Sequence, residues 1–409
     1  MEIRQRPDNQ YTTSEPIAET IFREYKWNGP WDTIDCPYTK WQRVTDPNAT
    51  NQGAKKYLPN KVNTIQLYDL DRAIDAEVCI EQWGGHVGTS DKKMSINGKE
   101  WITIPESPYI GHGSPPECYQ YFKYPTVKIP IDILKEGLNT FEFSCGKQIC
   151  NDFGWGQWGF YGIIFRVYYS KEKEHPTGIV NFLKEKENPN NLVLTVEEVT
   201  STTPIERIDF IGFYEDFDYN GDGIYKEWHY TFRYCEIKNH IGSIFSEPYK
   251  LSWNISWIPI QVQDVKLLAR ITDYEGITYI TPIKSIPAEY FSTKVKIYKS
   301  SDMPIGWQSR DGNIFSCNFN IEEDINSDIL KKAIIFLSTW NGLECDKIEI
   351  NRQTILNRIG RNHDYSCDEI NMPITLLKTG VNTFSTSSYT KGHGIEVLWP
   401  GITVKIKYF

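Results

Sequence analysis

The sequence predicts an almost entirely β chain built of three sandwiches. Three observations predict it: a set of sequence blocks repeated at the two ends, strand-length alternating runs throughout, and little helical periodicity. Tyrosine and tryptophan, with 25 and 13 copies among 409 residues, suit the pleated and half-buried surface of a strand and also supply flat amphipathic faces. That length is enough for two or three domains.

The repeat comes first. The segment from Ile129 to Phe141 (IPIDILKEGLNTF) pairs without a gap with Met372 to Phe384 (MPITLLKTGVNTF), sharing Pro-Ile, Leu-Lys, Gly and Asn-Thr-Phe. Upstream, Ile110-Gly and Cys118 align with Ile359-Gly and Cys367 at equal spacing, Ile96-Asn97 answers Ile350-Asn351, and Trp83-Gly-Gly answers Trp340-Asn-Gly. Downstream, Gly162 to Tyr169 matches Gly401 to Tyr408, where Thr403, Lys405 and Lys407 alternate with Val404, Ile406 and Tyr408 at the period of a half-buried strand. The predicted outer domains are residues 1–172 and 293–409. Between them, 173–292 carries strand-like runs at Leu192 to Val199, Ile205 to Tyr214, Trp228 to Tyr234, Leu251 to Trp257 and Val265 to Thr272, a spacing that suits an immunoglobulin or fibronectin-like sandwich. A short helix is expected over Glu322 to Lys332.

The pattern Ile-Asn-Gly-Lys, followed by the Ile129 to Phe141 segment, resembles a galactose-binding-like jelly roll. The match covers Ile96 to Tyr169 and Ile350 to Tyr408, about a third of the chain. The second copy departs from it at Asn351-Arg-Gln and is shorter. Such domains accompany glycoside hydrolases as carbohydrate-binding modules, so the resemblance implies a polysaccharide or glycan partner.

Charge and hydropathy exclude other partners. A net charge of -9 and a pI near 5.4 argue against nucleic acid, and no 18-residue apolar stretch argues for membrane insertion. The opening MEIRQRPDNQYTTSEP has no apolar secretion-signal core; an intracellular chain and one written without its leader read alike. Nine cysteines leave both disulfides and buried free thiols open.

The sharpest motif lies in the central domain. Asp216, Asp218, Asn220 and Gly221 form a DxDxNG loop with Glu227 at its twelfth position. Oxygen donors there, with the Asp222 carbonyl, are what a Ca2+ ion needs. Strand-like flanks replace the helices of an EF-hand, so the expected form is a calcium-bearing β-hairpin loop, which points to an extracellular or cell-surface setting. An acidic Asn-Gly turn without metal is the competing reading.

Gly154-Trp-Gly-Gln-Trp-Gly159 matches the letters of a dinucleotide fingerprint but not its strand–turn–helix setting. Asp152, Trp155, Gln157 and Trp158 instead combine flat rings with polar groups, as a sugar site requires, and Trp83 and His86 form a second patch. A glycine-tryptophan loop packed on its own sandwich is the alternative. His86, His363 and His393 lie in the two copies without metal-ligand spacing. No catalytic motif appears, although Glu81, Glu117, Asp152, Asp209, Asp364 and Asp368 are candidate carboxylates for a glycosidase, which pairs two across its fold. The expected function is glycan binding by aromatic loops on a calcium-stabilised scaffold. The alternatives are a glycosidase or lyase with its site between the N-terminal and central domains, and a structural surface or virion protein.

Overall fold

The computed structural model describes residues 16–32, 39–107, 110, 113–150, 154–291, 294–325 and 331–408. The chain is all-β: among the described residues, one four-residue helix (Gln52–Lys55) and short 3-10 turns interrupt a succession of strands.

The N-terminal sandwich has one sheet in the order Ile21–Asn28, Gln157–Tyr169, Ala73–Trp83, Thr126–Ile129, and a second in the order Asn63–Leu67, Gly137–Ser144, Lys93–Ile96, Ile102–Thr103. The C-terminal sandwich has Val295–Lys299, Glu396–Tyr408, Lys331–Trp340, Tyr365–Met372 over Ile314–Ile321, Gly380–Ser387, Lys347–Ile350, Gln353–Leu356. Strand for strand, the two orders are the same. Alternation explains the layers: in Gly137–Ser144, Asn139, Phe141 and Phe143 point inward while Leu138 is 56% exposed. Each fully buried phenylalanine, such as Phe141 or Phe384, contributes roughly 1.5–3 kcal/mol of apolar burial.

Both sandwiches close the same turn with the same buried clamp. Asn139 accepts from the Lys135 amide (3.1 Å) and from Asn97 Nδ2 (2.8 Å), and donates to the Lys135 and Gly137 carbonyls. Asn382 does likewise with the Lys378 amide (2.9 Å), Asn351 Nδ2 (2.8 Å), and the Lys378 and Gly380 carbonyls. A fully satisfied buried amide pins the start of a strand, whereas an orphaned one costs about 1–3 kcal/mol.

The central domain packs Thr177–Lys184, Asn191–Thr200 and Lys250–Asn254 against Ile205–Glu215 and Val265–Asp273, around Leu194, Phe210, Leu267 and Phe291. The run expected over Trp228 to Tyr234 is two strands, Lys226–Trp228 and Thr231–Arg233. Its sheet does not stop at residue 173. Ile277–Ile280 pairs with Ile21–Asn28, joining the first and central domains in one eleven-stranded sheet. An open edge of unpaired N–H and C=O groups is thereby covered. The hairpin of Thr231–Arg233 and Glu236–Lys238 supports the sheet's other face, where Tyr230, Phe232 and Ile237 meet Phe22, Cys79 and Ile164. Gln157–Tyr169 is thus covered on both sides, which explains its nearly unbroken apolar run.

The helix expected over Glu322 to Lys332 does not form where the chain is described. Residues 322–325 are irregular, and Lys331 already opens the strand Lys331–Trp340. Cys118 and Cys150 form a disulfide, and Cys79, Cys145, Cys235, Cys317 and Cys345 are buried free thiols.

Candidate functional site

The two outer sandwiches meet at equivalent strand ends. Trp83 ends Ala73–Trp83 and Trp340 ends Lys331–Trp340, and their rings face each other at 6.0 Å and 33°. Trp41 stands edge-on to Trp83 at 4.6 Å. Around these rings Tyr161, Tyr365 and Leu398 form one apolar cluster with Tyr234 of the central domain. Polar ties fix the junction: Thr39 Oγ1 donates to the His363 carbonyl (3.0 Å), Gln120 Nε2 to Tyr365 Oη (3.2 Å), and the Trp399 amide to the Gln120 carbonyl (2.6 Å). Arg233 bridges Glu81 of the first sandwich (2.9 Å) and Asp364 of the last, with its guanidinium over the rings of Tyr161 and Tyr234.

A cavity of about 440 Å³ opens at this junction. The N-terminal side supplies Trp41, Arg43, Trp83, His86, Trp155 and Gln157; the C-terminal side supplies Gln308, Arg310, Trp340, His363, Lys391, His393 and Glu396. Two glycines let the loops close in. A Cβ on Gly85, whose φ is +66°, would lie 2.0 Å from the Gln157 carbonyl, and one on Gly394 would lie 1.7 Å from the Ser309 carbonyl.

The lining is rich in donors. The indole N–H groups of Trp83 and Trp155 are buried without a hydrogen-bond partner in the protein. Arg43 pairs with Asp32 and lies over the Trp41 and Tyr57 rings. His86 Nδ1 bonds the Trp155 carbonyl at 2.9 Å, and burial lowers its pKa. His363 Nε2 and His393 Nδ1 are 2.9 Å apart, so one nitrogen donates and the other accepts; burial and the neighbouring His393 lower the pKa of His363. Glu396 is the acidic group of the lining. Burial pushes its carboxyl up to about 8 against the pull of Arg310, Gln120 and Gln308. At neutral pH that carboxyl is largely protonated.

Of the residues singled out in the sequence, Trp83, His86, Trp155 and Gln157 come together on the N-terminal wall. Trp158 does not. It lies wholly within the first core against Phe143 at 5.4 Å, and a ring without exposed surface cannot stack on a ligand. The physical reason is strand alternation: Gln157 and Trp158 are consecutive in Gln157–Tyr169 and point to opposite faces. Asp152 lies outside the described residues. The cavity also lies between the two outer sandwiches, not between the N-terminal and central domains as the enzymatic alternative expected. Sequence reasoning missed Trp41, Arg310, Trp340, Lys391 and Glu396. The repeat held a signal for two of them, since Trp340 matches Trp83, and Glu396 opens a strand as Gln157 opens its counterpart.

The 216–227 loop is an interdomain contact. Phe217 stacks on Phe336 of the C-terminal sandwich at 5.2 Å, Asp216 pairs with Lys405, and Gly221 packs against the Trp399 carbonyl. The oxygens suit a hard cation in type, but they are engaged. Asp218 accepts from the Gly221 and Gly223 amides (2.7 Å each), Asn220 Nδ2 donates to Glu227 (2.9 Å), and Asp222 accepts from the Ile224 amide (2.8 Å). Burial and the Asp222 charge hold the Asp218 pKa well above the ordinary carboxylate range. Among the described residues, no three acidic, histidine or cysteine side chains converge as a metal cluster. Backbone amides order the loop's oxygens, and Lys405 occupies the Asp216 carboxylate that a cation there would compete for.

No protein-family model and no curated protein matches the chain. Among solved structures it is similar to a β-porphyranase of glycoside hydrolase family 86 from the human gut bacterium Bacteroides plebeius, at 15% identity over 59% of this chain and 38% of that one, with a TM-score of 0.23. It is also similar to an FMN-binding β-glucuronidase from Facaelibacterium prausnitzii (9% identity, 71% of this chain, 43% of that one, TM-score 0.25). A third is an exo-β-1,3-galactanase from Phanerochaete chrysosporium (8% identity, 78% and 68%, TM-score 0.19). The chain thus spans less than half of the first two. These neighbours are carbohydrate-active enzymes; at such TM-scores the function has to be argued from the cavity itself.

Proposed function

We propose that this chain binds a glycan in the cavity between its two outer sandwiches. The observation that carries the reading is the convergence, in one preformed cavity, of flat indole rings with side chains that hydrogen-bond. The half-buried Trp83 and Trp155 offer indole surface to the C–H side of a pyranose, and Gln157, Gln308 and the histidines offer partners to hydroxyls. The interdomain bonds hold both walls in place before the ligand arrives, which lowers the entropic cost of binding.

The test is size-exclusion chromatography of a polysaccharide panel incubated with the protein, following protein and polymer together. Co-elution with intact polymer is expected, and Trp155→Ala should abolish it while leaving the melting temperature within a few degrees. Co-elution that survives this change would remove the cavity from the reading.

A second reading, a carbohydrate-active enzyme, is favoured by Glu396, a half-buried residue whose carboxyl is raised to about 8 and so suited to donating a proton at neutral pH. A glycosidase needs a second carboxylate, and Glu396 is alone among the described lining residues. Polymer shortening that Glu396→Gln abolishes would put this reading first.

Calcium and location are separate proposals. Calcium on Asp216, Asp218, Asn220, Asp222 and Glu227 would relieve the crowding of Asp218 and Asp222 and release Lys405. Millimolar calcium should then raise the melting temperature by several degrees, reversed by a chelator, whereas equal melting curves would leave the loop metal-free. The Cys118–Cys150 disulfide supports an extracellular or cell-surface setting.

A further inference from the structure

We propose that the sugar taken by this cavity is acidic, carrying a carboxylate or a sulfate ester. The inference rests on the glycan reading above and adds the charge of its ligand.

The described lining holds three cationic side chains, Arg43, Arg310 and Lys391, and one carboxyl, Glu396. Arg310 and Lys391 stand on the C-terminal wall. Lys391 is exposed and has no acidic partner among the described residues, while Arg310 bonds weakly to the Gly392 carbonyl at 3.4 Å and lies close enough to Glu396 to pull on its carboxyl. Arg43 is not counted, because Asp32 already neutralises it.

A neutral sugar would leave these two cations without an anionic partner. The one carboxyl of the described lining is Glu396, and burial keeps it largely protonated at neutral pH, removing a charge that would repel an anion. A carboxylate or sulfate is acceptor-only and suits an arginine fork. The setting sharpens the point. The chain carries a net charge of -9, so a polyanion is repelled by the molecule as a whole and attracted where its cations gather.

The test is titration calorimetry of the full chain with two matched pairs. One is an oligogalacturonate and its methyl ester; the other is a carrageenan oligosaccharide and its desulfated form. The charged member of at least one pair should bind at least tenfold more tightly, and which pair responds identifies carboxylate or sulfate as the anion. Arg310→Gln and Lys391→Gln should each cut that preference several-fold, with Lys186→Gln on the distant central domain as the unaffected control. Equal affinity for charged and neutral members would overturn the inference and leave the glycan reading standing. Charge-selective binding that survives both substitutions would also overturn it, since the anion would then be held elsewhere. Binding of none of the four would remove both readings.

Discussion

The first and last sandwiches share one scaffold and differ at the end where they meet. Each closes its turn with a buried asparagine held by a second asparagine, Asn139 with Asn97 and Asn382 with Asn351. Each sends a tryptophan, Trp83 or Trp340, from the end of an equivalent strand into the junction. Beyond that they diverge. The first copy lines the cavity with Trp155, His86 and an amide, Gln157; the last lines it with Arg310, Lys391, the His363–His393 pair and a carboxyl, Glu396. The scaffold positions tolerate few residues because every hydrogen bond is buried and used. The cavity-facing positions are free of that constraint, so two copies of one architecture can form unlike walls.

The largest expected effect tests whether the matched tryptophans are equal. Trp340 is 6% exposed and joins both histidines to the junction, so Trp340→Ala should cost about 3–5 kcal/mol in chemical denaturation. Trp83, half-buried, should cost less in stability but remove glycan binding equally. Similar stability losses from both would break the asymmetry.

The clamps come next. Asn139→Ala and Asn382→Ala should each destabilise by about 2–3 kcal/mol, because each strands buried backbone groups. A large difference between them would mean that the scaffolds are not energetically equivalent.

A smaller effect concerns pH. The folded pKa of Glu396, about 8, lies above its ordinary value of 4.5. Its contribution to stability is therefore full below pH 4.5 and lost as pH rises through 8. Glu396→Gln should flatten the stability profile across that window and raise the melting temperature by a few degrees at pH 8. Affinity for an acidic sugar should fall above pH 8 in the native protein and not in the variant. Gln157→Glu, which gives the first wall the carboxyl of the second, should weaken the same binding more modestly.

Much of the scaffold was legible in the sequence because it is encoded locally. The Lys-Glu-Gly and Lys-Thr-Gly turns, the Asn-Thr-Phe strand starts and the alternation through Lys405 and Lys407 depend on neighbours in the chain. Trp83, His86, Trp155 and Gln157 were legible as aromatic and polar groups at strand ends and on the loops beside them. Trp158 was misread because composition does not reveal the face of a strand; one residue of register separates a cavity wall from a core. The 216–227 loop shows the same limit. Its acidic spelling is local, while its contacts with Phe336 and Lys405 are not.

By itself, the sequence determined the β character of the chain and the likeness of its two ends, since periodicity and turn chemistry act over a few residues. Only the tertiary structure decided that these ends face each other across a cavity, that the first and central domains share a sheet, and that Glu396 and Trp155 line the same cavity. Those outcomes depend on pairing and burial between residues hundreds of positions apart, and no local pattern carries that information.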